Sequence, residues 1–201
     1  ELVPFAGRTD LEIAHDLLEV AQKEAGEELL DRFEEELVAA MAARSEELGR
    51  RGRALPGAAE ALERLAAEPG VIQSLLTGNV ERNALVKLAA FGLARHIDFA
   101  SGAYGSDHRR RGELVAIARG RAEERHGTTV ADVVLIGDTP LDVAAAHEGG
   151  ARAVAVATGP YDPSALSAAG ADAVLTDLTD TEAVVREVLG RARSGTGAAT
   201  A

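Results

Sequence analysis

The 201-residue chain contains no cysteine, which excludes disulfides, thiolate nucleophiles and cysteine-held metal sites. A cytoplasmic setting fits that composition. No run approaches the ~20 consecutive apolar residues that a membrane helix needs, so no membrane partner is expected. Positive charge is scarce: 21 Lys and Arg against 33 Asp and Glu give a net charge of −12. Nucleic acid is not expected as a partner, because neutralising a phosphate backbone takes clustered Lys and Arg. A small phosphorylated ligand stays open. Neither a GxGxxG nor a GxxxxGK[ST] loop occurs, which weakens a nucleotide-binding or receiver-like reading. No internal repeat is visible, and Glu1-Leu2-Val3-Pro4 shows neither an initiator methionine nor the layout of a secretory signal.

What is present reads as an ordinary globular protein, 46% apolar and 27% charged, long enough for one core domain and a small second module. From Thr9 to about Gly49, Leu, Ile, Val, Phe and Met recur at spacings of three and four, the pattern of a two-helix module. GRRGRALPG (49–57) interrupts it as a hinge, and AAEALERLAAEPG follows as a short helix stopped by Pro69 and Gly70. Apolar runs then alternate with helices. Strands are predicted at VIQSLL (71–76), HIDFAS (96–101), VVLIG (133–137, buried), RAVAVATG and, at an edge, DAVL (172–175). Helices are predicted at VERNALVKLAAFGL, GELVAIARGRAEERHG, LDVAAAHEGG and DTEAVVREVLGRA. Such alternation makes an α/β fold with a mostly parallel sheet covered on both faces, whose ligands sit at the carboxyl ends of the strands. The tail, 191–201, is small and polar and is expected to be disordered.

Three strand ends carry candidate chemistry. After VIQSLL come Thr77, Gly78 and Asn79, a hydroxyl and amide donors at a helix start, suited either to an anion or to simple capping. After VVLIG come Asp138 and Asp142 around Pro140, one helical turn apart. Two hard carboxylates on one side of a strand end suit Mg²⁺, or else complement a helix dipole. After HIDFAS come His108 and Arg109 to Arg111, phosphate-pairing groups or solvated surface charges.

In this order the motifs resemble the haloacid dehalogenase superfamily, specifically phosphoglycolate-phosphatase-like members with a helical cap, over about residues 5–190. SLLTGN is similar to the second motif, LIGDTPLDVAAAHEGGARAVAVATG to the fourth motif and the strand after it, FAGRTD to the cap entrance, and DAVLTDLTD to the last sheet edge. The resemblance implies a cap at 8–54, a Rossmann-like core at 55–190, and hydrolysis of a small-molecule phosphate monoester through an aspartyl phosphate with Mg²⁺. It implies that the Thr77 hydroxyl and the Gly78 and Asn79 amides hold phosphate, that Asp138 binds Mg²⁺, and that Asp142 supports it directly or through water. The third motif normally supplies a Lys. Here the matching segment is DHRRRGEL, which points to Arg111, with Arg109 as the alternative and His108 as a neighbour. Arg8 at the cap entrance is either a contact for a substrate carboxylate or a surface residue.

The family's first motif, an Asp nucleophile with a second Asp two positions later, is not found: none of the twelve aspartates has another two positions on. The expectation is a sequence that starts after its first, central strand. That strand would lie between VIQSLL and VVLIG, and the chain by itself is then expected to be inactive. The alternative is a catalytically dead phosphate-binding protein of the same fold. The sequence assigns no oligomeric state.

Overall fold

The computed structural model describes residues 7–190, so the expected disordered tail, 191–201, lies outside the described residues. The first three helices are α1 (Asp10–Val20), α2 (Glu27–Ala43) and α3 (Ser45–Arg51), one more than the periodicity predicts. Thr9 starts α1: its hydroxyl accepts the Glu12 N–H at 3.1 Å, and Asp10 and Glu12 place negative charge in the first turn, where exposed backbone N–H groups favour it. The helix buries Ile13 and Ala14.

The remaining order is α4 (Ala58–Ala66), α5 (Glu81–Ala90), α6 (Glu113–His126), β1 (Val134–Gly137), α7 (Pro140–Glu148), β2 (Arg152–Val156), α8 (Pro163–Ala168), β3 (Ala173–Leu175) and α9 (Thr181–Leu189). β1, β2 and β3 form a parallel sheet in that spatial order, with Ile136 opposite Val154 and Ala155 opposite Val174. Short α8 has no counterpart in the apolar periodicity. It forms because the Asp162 carboxylate caps the Ala165 N–H at 2.8 Å and Pro163 occupies the first helical position.

Two expected strands take a different form. Residues 71–76 form no continuous strand and make only one ladder position, a parallel bridge from Leu76 to Ala103. Residues 96–101 are not a strand: single 3₁₀ turns occupy Ala94–His96 and Phe99–Ser101. The Asp98 side chain explains the second turn, since its carboxylate accepts the Ser101 hydroxyl at 2.7 Å and competes with an extended backbone. Pairing survives at isolated points, from the Asp98 N–H to the Gln73 carbonyl, the Ala103 N–H to the Leu75 carbonyl and the Thr77 N–H to the Ala103 carbonyl.

The sheet is therefore in two pieces. No backbone hydrogen bond joins 71–77 to β1 among the described residues. β1, predicted as buried, is consequently only half-covered, with Ile136 41% exposed, whereas β2 carries the four buried residues Ala153–Val156. A core of Val115, Val143, Ala146 and Leu166 packs α6, α7 and α8 onto β2, and Leu76 and Leu135 both touch it. A second cluster, Ala61, Leu65, Val184 and Val185, ties α4 to α9. Each fully buried Leu or Val contributes about 1.5–3 kcal/mol.

Candidate active site

The carboxyl end of β1 is organised by Asp142. In the capping box of α7, its Oδ2 accepts the Asp138 N–H at 3.1 Å, the Thr139 N–H at 3.0 Å and the Thr139 hydroxyl at 2.8 Å. Its Oδ1 meets Arg111 Nη2 at 2.6 Å. Both oxygens of this buried carboxylate are thus engaged, and Asp142 holds the loop in shape.

Asp138 is the opposite case. No hydrogen bond from another residue reaches its carboxylate among the described residues, and it lies half-buried at the strand end. Burial pushes its carboxyl above the ordinary carboxylate range, Asp142 adds to the push, and its own backbone N–H and Arg111 draw it partly back. Gly159, three residues beyond the end of β2, lies against it: a Cβ there would overlap the Asp138 carboxylate. Sequence reading missed Gly159, because a glycine's side-chain clearance is visible only once the opposing group is placed.

Arg111 reaches the same corner. With Nη2 on Asp142, its Nε–H is buried and has no acceptor among the described residues. A buried orphan donor of a guanidinium is costly unless an acceptor arrives. Arg109 and His108 do not join this cluster. Arg109 is exposed with Nη2 3.7 Å from Asp16, and His108 is half-buried with Nδ1 accepting the Arg110 N–H at 3.0 Å.

In the second loop, the Thr77 hydroxyl oxygen accepts the Asn79 N–H at 3.2 Å, which leaves the Thr77 hydroxyl proton free to be donated. The Gly78 N–H has no partner among the described residues, whereas the Asn79 N–H is taken by Thr77. The Asn79 carboxamide oxygen accepts Lys87 Nζ at 2.6 Å from α5. Lys87 was another residue that sequence reading passed over: it stands eight positions away, and only the return of α5 over the loop brings it there.

Residues 7–10 stitch the two loops together. Gly7 packs against Thr139 and Leu141, the Asp10 N–H donates to the Gly78 carbonyl at 2.7 Å, and the Asp10 carboxylate accepts the Val80 N–H at 3.0 Å. Backbone approaches so closely here that a Cβ on Gly78 would overlap the Arg8 carbonyl, and one on Gly105 the Gly78 carbonyl. Burial raises the Asp10 carboxyl, against the Val80 N–H, Lys87 and Asn79, which lower it. Arg8 is not a surface residue: its side chain is 12% exposed and is engaged by Glu12 at 2.9 Å and Asp16 at 2.6 Å.

A family model for haloacid dehalogenase-like hydrolases matches residues 3–147, which include both loops, Arg111 and Asp142. The chain belongs to the haloacid dehalogenase-like hydrolases. No curated protein matches it. Among solved structures it is similar to a hydrolase from Pseudomonas syringae, at 25% identity and a TM-score of 0.66, over 91% of this chain and 80% of that one. It shares its fold with a putative beta-phosphoglucomutase from Thermotoga maritima, at 22% identity and a TM-score of 0.59, over 90% of this chain and 80% of that one. The same holds for a predicted phosphoglycolate phosphatase from Haemophilus somnus, at 20% identity and a TM-score of 0.58, over 86% and 74%. No helix among the described residues of this hydrolase is long and apolar enough to cross a membrane.

Proposed function

We propose that this hydrolase cleaves a small-molecule phosphate monoester with Mg²⁺, through a phosphoryl-aspartate. The reading is carried by the Arg111 guanidinium, fixed by Asp142 with its Nε–H buried and unanswered beside the open Asp138 carboxylate. An anion beside Asp138 would supply the acceptor that this donor lacks. The Thr77 hydroxyl and Gly78 N–H, free of protein acceptors, would hold phosphoryl oxygens.

The donor set fits Mg²⁺, which takes one or two protein carboxylates and keeps several waters. Asp138 would bind it directly, and Asp142, which also holds the loop, would support it directly or through a water. No cluster of three or more metal-ligating side chains exists among the described residues. When bound, the ion would supply charge neutralisation for the phosphoryl oxygens. Arg111 would draw charge from the same group, and Asp142 would keep Arg111 and the Asp138 loop in register.

The phosphoryl acceptor is proposed to be an aspartate on a strand seated between 73–77 and β1. No DxD pair occurs in the 201 residues, and the two flanking segments are not hydrogen-bonded to each other among the described residues. In-line attack by its carboxylate would break the ester P–O bond, an acid would protonate the departing alcohol, and water would then cleave the acyl phosphate. The helices around 8–54 are proposed to form the cap that shields this reaction from bulk water.

The test is phosphate release from p-nitrophenyl phosphate by the product of the complete open reading frame, with Mg²⁺ or with EDTA. Release that needs Mg²⁺ and disappears in Asp138→Asn is the expected result. Phosphate binding with no release would identify a phosphate-binding protein without turnover instead.

A further inference from the structure

A cleft of about 320 Å³ lies between α1, α2 and the backbone at Val80, Gly105 and Ser106. It adjoins the candidate phosphate loop, because Val80 follows Asn79 and the Gly105 N–H donates to the Asn79 carbonyl at 2.9 Å. Its volume is at the low end for small-molecule sites. Leu30, Phe33 and Leu37 of α2 give it an apolar wall. Asp10, Glu27, Asp31 and Glu34 also line it, and no Lys, Arg or His does.

The nearby cations do not cancel this charge. Lys87, turned onto Asn79, acts on Asp10, and Arg82, exposed to solvent, acts on Glu34, so two cations face four lining carboxylates. Burial raises the Glu34 carboxyl, Asp31 raises it further, and Asp10 and Asp107 add to the same effect against Arg82. The field within the cleft is therefore negative, and partial enclosure by apolar side chains strengthens it relative to open water.

Resting on the phosphatase reading, we propose that this cleft receives the alcohol portion of the ester and selects an alcohol bearing an ammonium group. A short methylene segment would lie along Leu30 and Phe33, with the ammonium facing Asp31 and Glu34. A carboxylate at the same position would meet like charge with no guanidinium or ammonium to receive it. Esters of hydroxy acids, phosphoglycolate among them, are disfavoured accordingly, even though a structural neighbour carries that substrate in its name.

Three nearly isosteric probes that differ in charge test this: O-phosphoethanolamine, ethyl phosphate and 2-phosphoglycolate. Their Kd values are measured by calorimetry on the product of the complete open reading frame at low ionic strength in EDTA, which holds turnover off, beside inorganic phosphate. The expected order is ammonium, neutral, carboxylate, with at least threefold between neighbours and tenfold across the set. In Asp31→Asn/Glu34→Gln the spread falls below threefold while the Kd of inorganic phosphate is unchanged. A flat or reversed order in the parent overturns the proposal while leaving the phosphate site standing. So does a spread that survives the double substitution. Absence of inorganic phosphate binding overturns the phosphatase reading itself, and this assignment with it. The parent measurements do not depend on whether the double variant folds.

Discussion

Arg111 Nη2 lies 2.6 Å from Asp142 Oδ1, and this contact joins the start of α6 to the loop at the end of β1. Neither side chain is more than 18% exposed. Asp142 also accepts three hydrogen bonds from Asp138 and Thr139, so one carboxylate sets the geometry of the whole corner.

Replacing Asp142 with Ala strands the Arg111 charge and opens the α7 capping box together. Breaking such a pair costs about 3 kcal/mol, and the reciprocal half of the capping box is lost with it, while the Thr139 cap stays. Asp142→Ala should lower the urea midpoint accordingly with an unchanged m-value. A loss under about 1 kcal/mol would show that the pair is not formed in solution.

Asp138 should behave in the opposite way. Its carboxyl is raised above the ordinary value of 3.8, so between the two values the folded state holds a proton that the unfolded state has lost. Stability therefore falls as pH rises through that window and stays reduced at neutral pH. Asp138→Asn should melt above the parent at neutral pH and converge with it in acid. Mg²⁺ at 100 times its Kd should stabilise the parent by about 2.7 kcal/mol and leave Asp138→Asn unmoved, as read by thermal melts with and without the ion.

Gly159→Ala introduces a methyl where the Asp138 carboxylate lies. The backbone there is not at a positive φ, so the substitution should act on the carboxylate rather than through backbone strain. Mg²⁺ affinity is expected to fall about 10- to 100-fold, the range found when groups supporting a metal ligand are altered. Calorimetric titration with Mg²⁺ checks this, and an unchanged Kd would remove Asp138 from the metal site.

Arg121 grips Asp107 through two bonds, of 2.6 and 2.8 Å, tying α6 to the turn after Tyr104. Burial pushes the Asp107 carboxyl up, but Arg121 and the Tyr104 N–H outweigh it and hold the carboxyl below its ordinary value. The contribution is present above the ordinary Asp value and is lost as pH falls through the depressed one. Because the Arg121 side chain is 38% exposed, solvent screening limits the effect, and Arg121→Gln should cost about 1 kcal/mol at neutral pH. The gap between variant and parent, followed by urea denaturation across pH, should close in acid.

The alternation of apolar runs with amphipathic segments determined the α/β class, the parallel sense of β1 to β3, and nearly every helix after Gly57. Those features follow from local periodicity and from capping groups such as Thr139 and Asp162, which act within a few residues of themselves. The 3₁₀ turn at Phe99–Ser101 is local as well, set by Asp98 three residues from Ser101, and the apolar pattern of 96–101 hid it. The strand-end motifs likewise pointed to Thr77, Asp138 and Arg111, because their chemistry is written in short spacings. Tertiary structure decided what each group is free to do. Only packing shows that Arg111 reaches Asp142, that Lys87 reaches Asn79, and that Gly159 makes room for Asp138. Hydrogen-bond commitment and clearance are properties of residues distant in sequence, and no local pattern carries them.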